Sequence, residues 1–193
     1  MPILTDHFYN ITKISKTNTY IETGTYLGDG VTNVLNYYTN IHSIELSEKW
    51  YNYNTEKFKN NKNVKIHFGD SKKVLPELLN SVNEPITIYL DAHYSGEYTS
   101  YGEEETPLLF ELEILKNRQF DDIIIIDDCR MLGKTGESGS INNPVYPLMI
   151  YDWINITEDK IVNLMKPGYI LLKNDGHQYT NGASDQFILA RQM

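Results

Sequence analysis

The chain has 193 residues, 40% of them hydrophobic, and a formal net charge of −9. That length suits one domain with a full core and is short for two, and no apolar run is long enough to span a bilayer. The acid excess disfavours a nucleic-acid partner, which needs clustered Lys and Arg against phosphates, while the single cysteine, Cys129, excludes an internal disulfide framework and fits a reducing, cytoplasmic setting.

Residues 1–18 carry Phe8, Tyr9, Ile11 and Ile14 at roughly helical spacing, which predicts a short N-terminal helix covering the core or a pocket mouth. The stretch Tyr20–Gly30 reads YIETGTYLGDG: a short apolar run, three glycines, then an amphipathic segment. It predicts a first strand over Thr19–Glu22, a tight glycine turn and a helix over Val31–Tyr38, with Val31, Val34, Leu35 and Tyr38 on one face. Ile41–Leu46 reads as strand two and carries the acid Glu45; Ser47 then caps a polar, aromatic helix running to about Lys59. Val64–Phe68 alternates as strand three. Asp70 or Ser71 caps the next helix, which Pro76 is expected to break or restart.

Ile86–Leu90 is a fourth strand ending in Asp91, followed by a polar, glycine-containing loop over His93–Glu105. Thr106-Pro107 starts a helix as N-cap and first helical residue. The four isoleucines Ile123–Ile126 predict a strand buried on both faces, ending in Asp127-Asp128. Residues 133–147 read as a mobile loop. Thr157-Glu158-Asp159 opens a last helix that Pro167-Gly168 stops, and Tyr169–Lys173 and Gln186–Ala190 are two final strands joined by a polar loop.

Strands alternate with helices from residue 19 to residue 166. The order predicts an α/β fold: one domain over 1–193 with a Rossmann-like, doubly wound, mostly parallel seven-stranded sheet and an antiparallel last strand pair. Such sheets bind ligands outside the carboxyl ends of their strands. Here those ends carry Glu22, Glu45, Asp70, Asp91 and Asp127-Asp128.

The glycine loop narrows the ligand. A dinucleotide fingerprint is G-x-G-x-x-G, and a phosphate loop ends in G-K-[ST]. This chain has Glu22-x-Gly24-x-x-x-Gly28-x-Gly30 and no lysine there. The spacing resembles motif I of class I S-adenosylmethionine-dependent methyltransferases, an acid followed by G-x-x-x-G-x-G. The resemblance implies that Glu22, Gly24, Gly28 and Gly30 hold S-adenosylmethionine, that Glu45 accepts from its ribose hydroxyls, and that Asp70 and Ser71 lie at its adenine. An acidic rim tolerates the ammonium and sulfonium of that cofactor and would repel a pyrophosphate.

A second constellation joins YLDAHYSG to IIIIDDC. Asp91, Asp127 and Asp128 converging on one point would repel one another without a cation between them, and hard oxygen ligands suit Mg²⁺. The pattern looks like the metal-dependent small-molecule O-methyltransferases of the catechol and macrocin types, the latter with three aspartates. It implies a metal that binds the acceptor hydroxyl and lowers its pKa. His93, two residues past Asp91, is the first candidate base; His177 in the last loop is the second. Tyr94, Tyr98 and Tyr101 suit stacking on a flat substrate or sugar. The expected activity is thus a Mg²⁺-assisted O-methylation of a small-molecule hydroxyl, a sugar favoured. A methyltransferase of protein or nucleic acid, a nicotinamide-dependent oxidoreductase or epimerase, and a non-catalytic S-adenosylmethionine-binding module stay open, as does the oligomeric state.

Overall fold

Nine strands and five helices follow one another in a computed structural model that describes residues 17–96, 99–143, 148–173 and 186–191. The N-terminal helix expected before residue 17, Tyr98 and His177 lie outside those residues. The elements are β1 (Thr19–Thr23), α1 (Asp29–Val34), β2 (Asn40–Glu45), α2 (Glu48–Lys57), β3 (Val64–Phe68), α3 (Ser71–Ser81), β4 (Ile86–Leu90), α4 (Leu108–Leu115), β5 (Ile123–Ile126), β6 (Thr135–Ser138), β7 (Met149–Asp152), α5 (Glu158–Met165), β8 (Tyr169–Lys173) and β9 (Phe187–Arg191).

Seven strands form one sheet in the order β3-β2-β1-β4-β5-β9-β8. The first five pair in parallel and β9 pairs antiparallel with both β5 and β8. This is the predicted doubly wound α/β fold with its antiparallel end. β1 and β4 are neighbours whose onward connections diverge, and the crevice between their carboxyl ends is where such a sheet takes a ligand.

Period-two alternation distributes the core to both faces. Ile21, Ile88, Ile124 and Ile126 pack under α3, α4 and α5 with Leu75, Leu112 and Ile161. Tyr20, Tyr89, Ile123 and Ile125 pack on the other face with Val31, Val34 and Phe58. All four isoleucines of β5 are buried, as a strand covered on both faces requires.

Three local expectations are corrected. Pro76 does not break α3, which runs through it. A mid-helix proline costs about 3 kcal/mol, but the same helix buries Leu75, Leu78 and Leu79, each contributing roughly 2 kcal/mol. The first helix ends at Val34 and not at Tyr38, because the Asn63 side-chain amide donates to the carbonyls of Leu35 and Tyr38 and holds them in a turn. The segment read as a loop over 133–147 contains β6, which pairs antiparallel with β7. Trp153, fully buried just past β7, anchors the hairpin: its backbone N–H donates to Lys134 and its carbonyl accepts from Gly133. Among the described residues no helix is long and apolar enough to cross a membrane.

Candidate active site

β1 passes into the glycine loop at the sheet's carboxyl edge. Gly24 has φ +85 and donates its N–H to Ile44 across the β1/β2 pair. A Cβ there would run into the Asp91 carbonyl, with the carbonyl carbon 2.9 Å away. The glycine is therefore required by the close approach of the two strand ends, and not only by a ligand. Gly28, at φ +74, rests against Asn54 and Phe58 of the α2 segment. The Asn54 side chain donates to Tyr26 O at 2.6 Å, and Lys57 donates to Leu27 O at 2.7 Å, so α2 clamps the loop from outside. Tyr26 holds a non-glycine φ of +46, a strained conformation of the kind that clusters at functional sites.

Glu22 lies beneath this loop. It is buried, with Ser43 Oγ donating at 2.8 Å and Tyr20 OH at 3.2 Å. A Cβ on Gly30 would collide with its carboxylate, so the start of α1 rests directly on Glu22. Burial pushes its pKa up to about 8; the Ser43 hydrogen bond opposes this and the Asp91 charge adds to it. Glu45 takes the Tyr26 N–H on one oxygen at 2.8 Å and the Ser47 N–H on the other at 2.7 Å. Burial raises its pKa against those backbone hydrogen bonds. Asp70 caps α3 through Lys72 N–H at 2.8 Å, and Ser71 follows in the first turn.

These residues line one cavity of about 220 Å³ with Asp91, His93, Asp127 and Asp128. Of the residues anticipated for the site, Glu22, Gly24, Gly30, Glu45, Asp70, Ser71, Asp91, His93, Asp127 and Asp128 border the same space, while Gly28 faces α2 and does not line it. Trp50, edge-on to Tyr26 at 4.9 Å between ring centres, closes it on the α2 side.

The acid cluster differs from the expected one. Asp91, His93 and Asp128 each present a ligand atom within 4.8 Å of the others, and Asp127 is not among them. His93 bridges the pair: Nδ1 lies 3.3 Å from Asp91 Oδ1 and Nε2 lies 3.0 Å from Asp128 Oδ2. Ser95 Oγ is 2.8 Å from the same Nε2. Asp128 adopts φ +54, and its carboxylate and that of Asp127 face different partners. Asp127 instead accepts from Gln186 Nε2 at 3.4 Å, beside Tyr89, whose hydroxyl accepts from the same nitrogen at 3.0 Å. Arg130 donates to Asp128 Oδ1.

The electrostatics follow from that geometry. Burial lowers the His93 pKa, but the Asp128 charge and the hydrogen bonds to Asp128 and Asp91 outweigh it and raise it well above the usual histidine value. Burial likewise raises Asp128, yet His93 and Arg130 hold it below the usual carboxylate range. Asp91 is raised by burial, against the hydrogen bond and charge of His93.

The segment after β4 closes on itself, with Tyr94 N–H donating to Glu105 O at 2.8 Å. Lys72 ties it to α3 through Glu104 at 2.8 Å. Glu105 ties it to the hairpin, accepting from Trp153 Nε1 at 3.0 Å and from Asp152 N–H at 3.1 Å. The Trp153 ring then stands edge-on to His93 at 5.6 Å. Tyr94 and Tyr101 pack on each other, centres 5.2 Å apart, and Tyr101 is exposed outside the cavity. Glu111, buried on α4 and pushed up to about 7 by burial against the Ser71 and Thr23 hydroxyls, is a further acid under the site. Sequence reasoning missed Glu111, Glu105 and Arg130, because none of them stands at a strand end. Trp50 was missed too; an aromatic in a polar helix was its only signal.

No protein-family model matches the chain, and no curated protein matches it. Solved structures do. An O-methyltransferase from Bacillus cereus in complex with SAH (S-adenosylhomocysteine) aligns over 96% of this chain and 79% of its own, at 17% identity and a TM-score of 0.64. An SAH-bound methyltransferase from Podospora anserina aligns over 96% and 75%, at 18% identity and a TM-score of 0.62. An rRNA methylase from Streptococcus thermophilus aligns over 100% of both chains, at 9% identity and a TM-score of 0.56. The chain shares their fold.

Proposed function

We propose that this chain is an S-adenosylmethionine-dependent O-methyltransferase, assisted by a divalent cation and acting on the hydroxyl of a small molecule, a sugar favoured. The observation that carries the reading is the Asp91–His93–Asp128 cluster, which shares one cavity with the glycine loop at the β1/β4 crevice. The two carboxylates offer oxygen donors that suit Mg²⁺ or Mn²⁺, and the imidazole between them is left to act as a base.

When bound, the cofactor supplies a methyl group on a sulfonium and the cation supplies Lewis acidity at the acceptor hydroxyl. The chain's own residues do the rest. Glu45, fixed by two backbone amides, has lone pairs left for the ribose hydroxyls. Asp91 and Asp128 would hold the cation. With their charges shared in that way, the field that keeps His93 protonated weakens and Nε2 can take the acceptor's proton. Asp127 leaves the ligand set of this proposal and, at the cavity wall, accepts from the buried Gln186 amide. Ten acidic residues line the cavity against Lys72 and Arg130 among the described residues. That balance favours a small hydroxylated acceptor over RNA, whose phosphates it would repel.

Calorimetry with S-adenosylhomocysteine and with NAD tests the cofactor assignment. Binding of the first alone supports it, and preferential binding of NAD would overturn it.

Glu22 provides a pH signature. With its carboxyl raised to about 8, the folded protein keeps a proton that the unfolded chain has lost above the ordinary 4.5. Stability therefore falls as pH rises from about 4.5 to about 8. A cationic cofactor favours the carboxylate, so its binding releases that proton, and affinity for S-adenosylmethionine rises with pH by up to about tenfold per unit below 8. Glu22→Gln should flatten the affinity dependence and remove the Glu22 share of the stability dependence, leaving the share of Glu111, whose carboxyl is pushed up to about 7. A wild-type affinity constant between pH 6 and 8.5 would show that Glu22 does not sense the cofactor.

A further inference from the structure

We propose that Arg130 is a displaceable internal counter-cation, holding Asp128 in the metal-free protein and released when a divalent ion takes that carboxylate. The inference rests on the divalent-cation reading above and concerns how that site is loaded. Both oxygens of Asp128 are engaged by protein cations or donors: Oδ1 by Arg130 and Oδ2 by His93 Nε2 at 3.0 Å. A metal arriving between Asp91 and Asp128 meets a carboxylate already neutralised. The Asp128 side chain is nearly buried, whereas that of Arg130 is 41% exposed, so the arginine can leave into solvent and the carboxylate cannot.

Arg130 also has a place to go. It stands two residues past Asp128 in a short 3-10 turn, Cys129–Met131. Its second guanidinium nitrogen lies 3.5 Å from Ser138 Oγ on the β6–β7 hairpin. Arg130 and Ser138 both border the cavity. Ser138 is thus a second polar partner within reach of the guanidinium once a metal takes Asp128. Guanidinium and metal carry like charge and compete for one carboxylate, so metal loading and release of Arg130 are linked in both directions.

Two roles of an arginine beside a metal ligand predict opposite outcomes. If Arg130 aims Asp128 at the metal as a supporting partner, its removal weakens metal binding. If it competes, its removal strengthens it. Mn²⁺ titration followed by electron paramagnetic resonance, on the full chain without cofactor, separates them. Arg130→Gln should tighten Mn²⁺ by about tenfold, a change worth ~1.4 kcal/mol. Arg130→Lys, which keeps the charge, should stay near the wild-type affinity, and thermal melts of both variants check that they fold. In the wild type, Mg²⁺ addition should shift the Arg130 Nε–H resonance. Equal or weaker Mn²⁺ binding by Arg130→Gln overturns the counter-cation role while leaving the metal site standing. Absence of Mn²⁺ binding in the wild type and in Arg130→Gln alike overturns the metal reading itself, and this inference with it.

Discussion

Asp128→Asn is expected to lower turnover about 10³-fold and to abolish what remains of the divalent-cation dependence. Asparagine is the informative replacement. It keeps the side-chain volume and is among the few residues that tolerate the φ of +54 at this position. What it removes is the charge that faces His93 and Arg130. Affinity for S-adenosylhomocysteine should change little, because the charged partners of Asp128 are His93 and Arg130 and not the glycine loop, Glu22 or Glu45. Treatment of the wild type with EDTA should reproduce the loss, again with cofactor binding kept. Methyl transfer from labelled S-adenosylmethionine, with and without chelator, provides the measurement. Turnover that survives both EDTA and the substitution would make the Asp91–His93–Asp128 cluster a structural ion network.

Gly24→Val should abolish detectable cofactor binding and destabilise the fold by about 3 kcal/mol. Two penalties coincide. A β-branched residue is strained at φ +85. Its Cβ would also meet the Asp91 carbonyl, so the ends of β1 and β4 must separate. That separation opens the crevice in which the cofactor pocket and the acid cluster meet. The effect therefore spreads to Asp91, which a simple blockage of the cofactor would not do. Gly24→Ala carries the same Cβ at the same φ and should share the separation of the two strand ends, so that the further loss in Gly24→Val reads the added γ carbons alone. Calorimetry and thermal unfolding on the two variants read the effect. Wild-type affinity in Gly24→Val would put the cofactor somewhere other than this loop.

Much of this architecture is legible in local pattern. The four isoleucines of β5 and the helical spacing of Val31 and Val34 are read directly, and the helix start at Asp70 or Ser71 is read to within one residue, the structure placing the cap at Asp70. The alternation of strands and helices then leaves few topologies. Helix ends are less legible. Val31–Tyr38 has the right periodicity throughout, yet Asn63, distant in sequence, captures the carbonyls of Leu35 and Tyr38 and ends the helix at Val34. Pro76 shows the same principle in reverse, where burial of three leucines overrides a local breaker. The hairpin of β6 and β7 is invisible to pattern because both strands have only four residues and β6 has no apolar side chain; its anchor is Trp153 in the core.

The sequence by itself determined the fold class, the glycine loop and the row of acids at the carboxyl edge of the sheet. Those follow from period, turn chemistry and chain order, which are local or topological. Only the tertiary structure decided which acids meet. Asp127 and Asp128 are adjacent in sequence, yet one carboxylate meets Gln186 and the other meets His93. It also decided that Arg130 joins the cluster and that Glu22 supports Gly30 from below. The direction of a side chain at a strand end depends on one backbone torsion and on partners dozens of residues away, and neither is encoded in spacing.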